Sequence, residues 1–322
     1  MYSASVNRYE DMSYRRCGSS GLLMSEISLG LWSTVVRKDI LHSAFDYGIT
    51  HFDLVNSKDS ILASVEENFG EIFKKSFSNY RDEIIISTKS SCCIEQNLNR
   101  RLRAKNQLIT SLDQSLKRMD LDYVDVFYYH NSGSEMPLEE TMSNLDLLVK
   151  QGKALYVGLL SDNAEERKKG SEILRNLGTP HLIHQPKHHM MESWNNSRFL
   201  EFSEDEGIVC IPFFPLEQEV LTSTCLNGFT EDLTGAKASG FLQFNAFSNA
   251  EIKQAKALNE IAVSRNQTLA QMTVAWLLKH KRVCSVLVGV TNENQLLENL
   301  GALRNRTFSV SEINGINAIL KA

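Results

Sequence analysis

The 322-residue chain is short of loop-building residues, with 17 glycines and 5 prolines. That is about 5% and about 1.6%, against about 7% and about 5% in ordinary usage. Long apolar runs are missing too: none approaches the roughly 18 residues of a membrane span. The opening MYSASVNRYEDMSYRRC is charged where a secretory leader carries an apolar core. A surplus of positive charge is absent, since 34 Lys and Arg face 39 Asp and Glu for a formal charge of -5. No global field gathers nucleic acid or anionic lipid, so neither partner is expected. The six cysteines (Cys17, Cys92, Cys93, Cys210, Cys225, Cys284) form no CxxC pair and lack the density of a secreted disulfide scaffold. They read as reduced, mostly buried thiols of a cytoplasmic protein, with vicinal Cys92 and Cys93 the candidates for exposure.

No tandem repeat and no low-complexity tract is present. What recurs is a type of element. Short apolar runs rich in β-formers alternate with longer stretches of helical period. Eight strands are predicted, at EISLGLW around Ile27, THFDL at Thr50, EIIIST at Glu83, YVDVFYY at Tyr123, ALYVGLL at Ala154, HLIH at His181, IVCIP at Ile208 and SVLVGV at Ser285. Most are followed by an amphipathic helix. Near-continuous apolar strands joined by helical crossovers call for a parallel sheet covered on its outer face. Eight of them in a chain of this length predict a single α/β domain over 1–322, a closed (β/α)8 TIM barrel. A dinucleotide-binding open sheet would need GxGxxG after the first strand, and Gly30-Leu-Trp-Ser does not supply it. Gly48, Gly152 and Gly178 mark helix ends, Pro137 suits a first helical turn, and Ser309-x-x-Glu312 is a capping box for a last helix. The aperiodic segment from Leu216 to Ser248 is the candidate loop over the barrel mouth.

In such a barrel the chemistry sits where the strands end at their C-termini. Asp53 ends the second predicted strand, Lys89 the third and His130 the fourth. Singly these read as an N-cap, a solvated charge and a packed histidine. Jointly, a carboxylate, an ammonium and an imidazole on three consecutive strands suggest an acid–base site. His184, His188 and His189 show metal-ligand spacing, but the set straddles Pro186 and lacks a carboxylate or cysteine in register. A structural histidine cluster is expected there and no metal.

The strings HFDL at His51, SVEENFG at Ser64, RDEIIISTK at Arg81, SLDQSLKRM at Ser111, LDYVDVFYYH at Leu121, GKALYVG at Gly152, LIHQP at Leu182 and SVLVGVTNENQLLEN at Ser285 resemble the aldo-keto reductases. The resemblance runs from about Arg8 to about Leu320. It points to the branch holding the bacterial L-glyceraldehyde 3-phosphate reductases and the potassium-channel β subunits. It implies a (β/α)8 barrel using NADP(H) to reduce a small-molecule carbonyl substrate, and a homo-oligomer. The family's chemistry uses a tyrosine acid, a lysine and an aspartate that tune it, and a histidine that orients the carbonyl. Asp53, Lys89 and His130 fall on three of these positions. The family pattern D-x-A-x-x-Y-G is met here by Asp53-Leu-Val-Asn-Ser-Lys-Asp, which puts Lys58 at the tyrosine. Impaired activity is therefore expected, and a catalytically silent barrel acting as a binding or regulatory subunit is the alternative.

On the cofactor side the resemblance assigns Gln185 to the nicotinamide carboxamide, Phe213 to its ring, and Pro215 and Leu216 to the loop that follows. Thr291, Gln295, Glu298 and Asn299 fall at the adenosine-phosphate end, and Trp32 at the substrate pocket. Departures from the family pattern are Leu160 in place of a serine, Glu219 in place of a glycine, Ser223-Thr224 in place of Gly-Lys, and an added carboxylate at Glu217. Carboxylates facing a pyrophosphate repel it. Thr234 stands where an arginine is common, leaving Lys237 as the nearby cation. NADP(H) bound weakly, or lost, is the expectation.

Overall fold

The computed structural model describes residues 2–32, 36–55, 60–90, 107–130, 136–161, 163–179, 181–191, 207–213, 215–216 and 248–321. Lys58, Cys92, Cys93, Cys225, Thr234, Lys237 and nearly all of the predicted mouth loop, with Glu217, Glu219, Ser223 and Thr224, lie outside the described residues. An antiparallel hairpin, β1 (Tyr14–Arg16) and β2 (Leu23–Ser25), comes first. Eight parallel strands follow: β3 (Ile27–Leu31), β4 (His51–Leu54), β5 (Ile85–Ser90), β6 (Val124–His130), β7 (Ala154–Leu160), β8 (Ile183–His184), β9 (Val209–Cys210) and β10 (Val286–Val288). Every one of the eight strands read from the sequence is present.

The strand order is β10-β3-β4-β5-β6-β7-β8-β9, so each strand pairs with its neighbours in the chain. The two ends of that order also meet. Cys210 N–H donates to Arg282 O at 2.8 Å, Cys284 N–H to Cys210 O at 2.9 Å, and Leu287 N–H to Pro212 O at 3.0 Å. These bonds join the β9 and β10 segments and close a (β/α)8 barrel.

The helices are α1 (Lys38–Asp46), α2 (Ser60–Ser76), α3 (Gln107–Met119), α4 (Leu138–Lys150), α5 (Ala164–Leu177), α6 (Asn249–Ser264), α7 (Leu269–Leu278), α8 (Glu293–Leu300) and α9 (Val310–Lys321). Gly48, Gly152 and Gly178 take φ of +85°, +72° and +87° just past α1, α4 and α5, the left-handed turn that stops a helix. Pro137 is the N-cap residue of α4. Ser309 and Glu312 exchange both bonds of the capping box before α9. Helices α6 and α7 and the hairpin are absent from the sequence expectation, although α6 and α7 both open on capping boxes, Ser248 with Glu251 and Thr268 with Gln271.

The core has an outer layer between strands and helices, an inner layer within the barrel, and a third cluster where Met190 meets α6, α7 and α9. The hairpin seals the end of the barrel where the strands begin. Cys17, Leu22 and Met24 join the interior cluster of Ile85, Val126, Val209 and Cys284, and the thiols of Cys17 and Cys284 touch at 3.1 Å. Arg15 donates to the carbonyls of Leu278, His280 and Val283. Buried Glu26 ties Arg15 and Arg306 to the same floor. Cys17, Cys210 and Cys284 are buried free thiols, as expected.

Gly18 turns this hairpin with φ +53°, and a Cβ there would fall on the carbonyl oxygen of Gly207. Gly18→Ala is therefore expected to cost about 2 kcal/mol or more, read as a lowered thermal midpoint. Gly21→Ala in the same hairpin has nothing within 4 Å of the new methyl and is the control that leaves the midpoint in place.

Candidate functional site at the C-terminal mouth of the barrel

Parallel strands in register bring Gly30 opposite Asp53, Asp53 opposite Ser87, and Lys89 opposite Tyr128. Because side chains alternate along a strand, Asp53 and Lys89 both point into the barrel. Asp53 is fully buried. Its Oδ2 receives the Lys89 ammonium in an ion pair, and its Oδ1 accepts from Ser87 Oγ at 2.5 Å. The Gln185 side-chain Nε2 lies 3.4 Å from Asp53 Oδ2. The Lys89 side chain is 12% exposed. Burial lowers its pKa from the ordinary lysine value, with the charge of Asp53 opposing the shift.

Below the pair lies Tyr128, fully buried, with Lys89 Nζ 5.7 Å from its ring centroid. Burial pushes the Tyr128 phenol well above its usual pKa, and the charge of Asp53 adds to the shift. Its hydroxyl has no hydrogen-bond partner among the described residues. A phenol set inside the core in this way is packing rather than an acid at the rim. His130 is the last residue of β6 and is exposed at the mouth, its N–H held by Ser90 Oγ at 3.3 Å.

The Trp32 ring lies across the strand end, over Gly30, where any Cβ would meet it at 2.6 Å. It meets Phe213 edge to face at 6.4 Å and 75°. Phe213 is tied by backbone to both Pro186 and His188, which fixes it beside Gln185. Leu160 packs into the barrel interior, while the neighbouring Ser161 turns its hydroxyl to Glu166. Pro215 is buried, and Leu216 packs on the third core cluster.

At the start of α8, the Gln295 side chain accepts from the N–H and hydroxyl of Thr291 at 2.8 and 2.9 Å. Asn292 caps the helix by accepting from Gln295 N–H. Asn299 is buried and Glu298 half-buried one turn on. Arg37, just before α1, donates to Thr291 O at 3.3 Å. Its charge is paired with Asp39 two residues on, and its contact with Thr291, 254 residues away, is one that sequence reasoning missed. Trp32, Arg37, Ile40, Val290 and Thr291 line a cleft between the end of β3 and the start of α1. Gln185 Oε1 and Asn299 Oδ1 are two buried acceptors without a partner among the described residues.

His184, His188 and His189 are all buried. Burial lowers the pKa of His184 to about 3, and its Nδ1 lies 3.0 Å from Leu159 O. Among the described residues no group of three His, Cys, Asp or Glu side chains is placed to hold a metal ion. Among them, too, no helix is long and apolar enough to cross a membrane.

The model of the Aldo/keto reductase family matches residues 26–321. The chain belongs to the aldo/keto reductase family. It is 43% identical to L-glyceraldehyde 3-phosphate reductase of Escherichia coli (strain K12), across 97% of this chain and 94% of that protein. It is 27% identical to a probable voltage-gated potassium channel subunit beta of Oryza sativa subsp. japonica, across 91% of each. The crystal structure of a thermostable aldo-keto reductase in complex with the inhibitor epalrestat shares the fold, with TM-score 0.73 and 24% identity over 96% of this chain and all of that one. Aldo/keto reductases are oxidoreductases that use NADP(H). In this family member a buried aspartate–lysine pair stands under the mouth with an unsatisfied glutamine acceptor beside it.

Proposed function

We propose that this aldo/keto reductase family member reduces small aldehydes or ketones with NADP(H), at a rate held down by Lys58 in the tyrosine position. The observation that carries the reading is the Asp53–Lys89 ion pair under the mouth, adjacent to Gln185. A buried acceptor left unpaired costs about 1–3 kcal/mol, so Gln185 Oε1 and Asn299 Oδ1 suit donors brought by a ligand. An amide and an amino-bearing base, one at each end of a dinucleotide, are such donors.

Gln185, Phe213, Pro215 and Leu216 would hold the nicotinamide half. Thr291, Gln295, Glu298 and Asn299 would hold the adenosine end. When bound, NADP(H) supplies the hydride. The chain's own part is the proton. Asp53 keeps the Lys89 ammonium aimed into the mouth, and burial eases loss of its proton. His130 orients the carbonyl, Trp32 walls its pocket, and Lys58 stands in the acid position. The relative named for L-glyceraldehyde 3-phosphate makes small hydroxylated or phosphorylated aldehydes the first to assay. The silent, subunit-like alternative draws on Lys58 and on the more distant channel-subunit relative.

Titration of NADPH fluorescence tests the reading. Saturable binding is expected, weakened about tenfold by Gln185→Leu, the worth of one hydrogen bond. NADPH consumption should then follow addition of glyceraldehyde 3-phosphate or another small aldehyde. No binding at millimolar NADPH sinks the reductase reading. Binding without any turnover favours the silent one.

A further inference from the structure

Four side chains beyond the Asp53–Lys89 pair form a continuous polar line through the barrel interior. Ser285 Oγ and Ser28 Oγ are 2.5 Å apart, Ser28 Oγ is 2.8 Å from His51 Nδ1, and His51 Nε2 is 2.8 Å from Ser87 Oγ. Ser87 Oγ then reaches Asp53 Oδ1 at 2.5 Å. All five of Ser285, Ser28, His51, Ser87 and Asp53 are wholly buried. They lie on or beside β10, β3, β4 and β5, which are adjacent in the barrel.

The direction of the hydrogens follows from the far end. The Asp53 carboxylate, paired with an ammonium, accepts. Ser87 therefore spends its one hydrogen on Asp53 and receives the next from His51. That places the imidazole hydrogen on Nε2 and leaves Nδ1 bare to accept from Ser28, which in turn accepts from Ser285. Burial lowers the His51 pKa to about 4, so the ring is neutral and one tautomer serves the whole line. Chains of this kind polarise each member in the same sense.

We propose that His51 is a positioning residue: acting through Ser87, it fixes one carboxylate oxygen of Asp53 so that the other is presented to Lys89. The catalytic consequence rests on the reductase reading above. The geometric claim does not. Without the Ser87 bond, Asp53 Oδ1 is a buried acceptor with no partner, and the carboxylate rotates to recover one. Lys89 then loses part of the Asp53 charge and hydrogen bond that oppose its burial, and its titration moves down.

The experiment follows the Lys89 side chain by NMR in protein with labelled lysine, the signal being assigned by its loss in Lys89→Arg. In Ser87→Ala and His51→Leu the Lys89 titration is expected to fall by about half a unit or more. In His51→Gln, whose amide accepts from Ser28 and donates to Ser87, it returns toward wild type. Nitrogen shifts of His51 should show hydrogen on Nε2. An unchanged or raised Lys89 titration in Ser87→Ala, or hydrogen on Nδ1 of His51, overturns the proposal. Ser87→Ala, nearly the same size as the native residue, carries the test should His51→Leu fail to fold. Where the wild type turns over aldehyde, Ser87→Ala lowers kcat about tenfold, the range for loss of an orienting outer hydrogen bond, while KM and NADPH affinity hold. If the wild type consumes no NADPH, the reductase reading fails and the NMR result still decides the relay.

Discussion

Lys58→Tyr is expected to raise kcat for aldehyde reduction by about 10²–10⁴-fold, the usual contribution of a placed general acid, with NADPH affinity unchanged. Free lysine and free tyrosine have pKa values of about 10.4 and about 10, so acidity alone does not separate them. Charge does. A phenol that gives up its proton becomes an anion, and the Lys89 ammonium held by Asp53 stabilises that anion. If Lys58 fills that position as proposed, it starts as a second cation near an ammonium and ends neutral, and a pair suited to favour an anion favours neither form. A rigid ring of fixed reach also gives way to a stem with four rotatable bonds. Steady-state assays of the wild type, Lys58→Tyr and Lys58→Ala check this. Fast wild-type turnover abolished by Lys58→Ala would make Lys58 a working acid and end the claim of impairment.

Acidification should destabilise the fold well before the carboxylates titrate. Burial lowers His51 to about 4 and His184 to about 3, against about 6.5 for a histidine in the unfolded chain. In both cases burial is the largest cause. For His51 the charge of Lys89 adds and that of Asp53 opposes, and for His184 Arg167 and His181 add. The unfolded chain therefore binds more protons than the native one from about pH 6.5 down to those values, so stability falls as pH falls through this window and levels off beneath it. From about pH 7.5 to about pH 5 the two rings together are expected to cost about 4 kcal/mol, at about 1.4 kcal/mol per unit each. Denaturant midpoints across that range measure it, with a further share from His280, which burial also lowers to about 4, and His51→Gln should remove the share of one ring, about 2 kcal/mol. A flat profile from neutrality to about pH 5.5 would show that the rings are not buried neutral.

The barrel was legible in the sequence because its strands are covered on both faces and read as unbroken apolar runs, and all eight stand where those runs predict. Helix α7 was not, because nine of its residues, from Leu269 to Leu278, are buried on every side. Such a helix has no polar face and leaves no helical period. The hairpin strands are three residues each, too short to announce themselves. In the site, Asp53, Lys89 and His130 were visible as polar residues at strand ends, and Gln185 through the family resemblance. The relay was not, although its signal was there: His51 and Ser87 each sit two residues before a rim residue, on the same inward face. A lone Ser or His inside an apolar run carries no mark of its partners, and these come from other strands. Arg37 escaped for the same reason, its contact with Thr291 being set by barrel closure rather than by spacing.

The eight staves of the barrel are unequal. β6 and β7 share six paired positions, while β8 and β9 share two. Local opening starts where fewest bonds must break at once, so amide hydrogens around Ile183 and Val209 should exchange with solvent sooner than those of Val126 to Tyr129. Gln185 and Phe213 follow the thin staves β8 and β9, while Asp53 and Lys89 stand on β4 and β5, which share three positions with each other and, for β5, four with β6. If Gln185 and Phe213 hold a dinucleotide as proposed, that side of the mouth can breathe to admit or release it while the Asp53–Lys89 side stays shut.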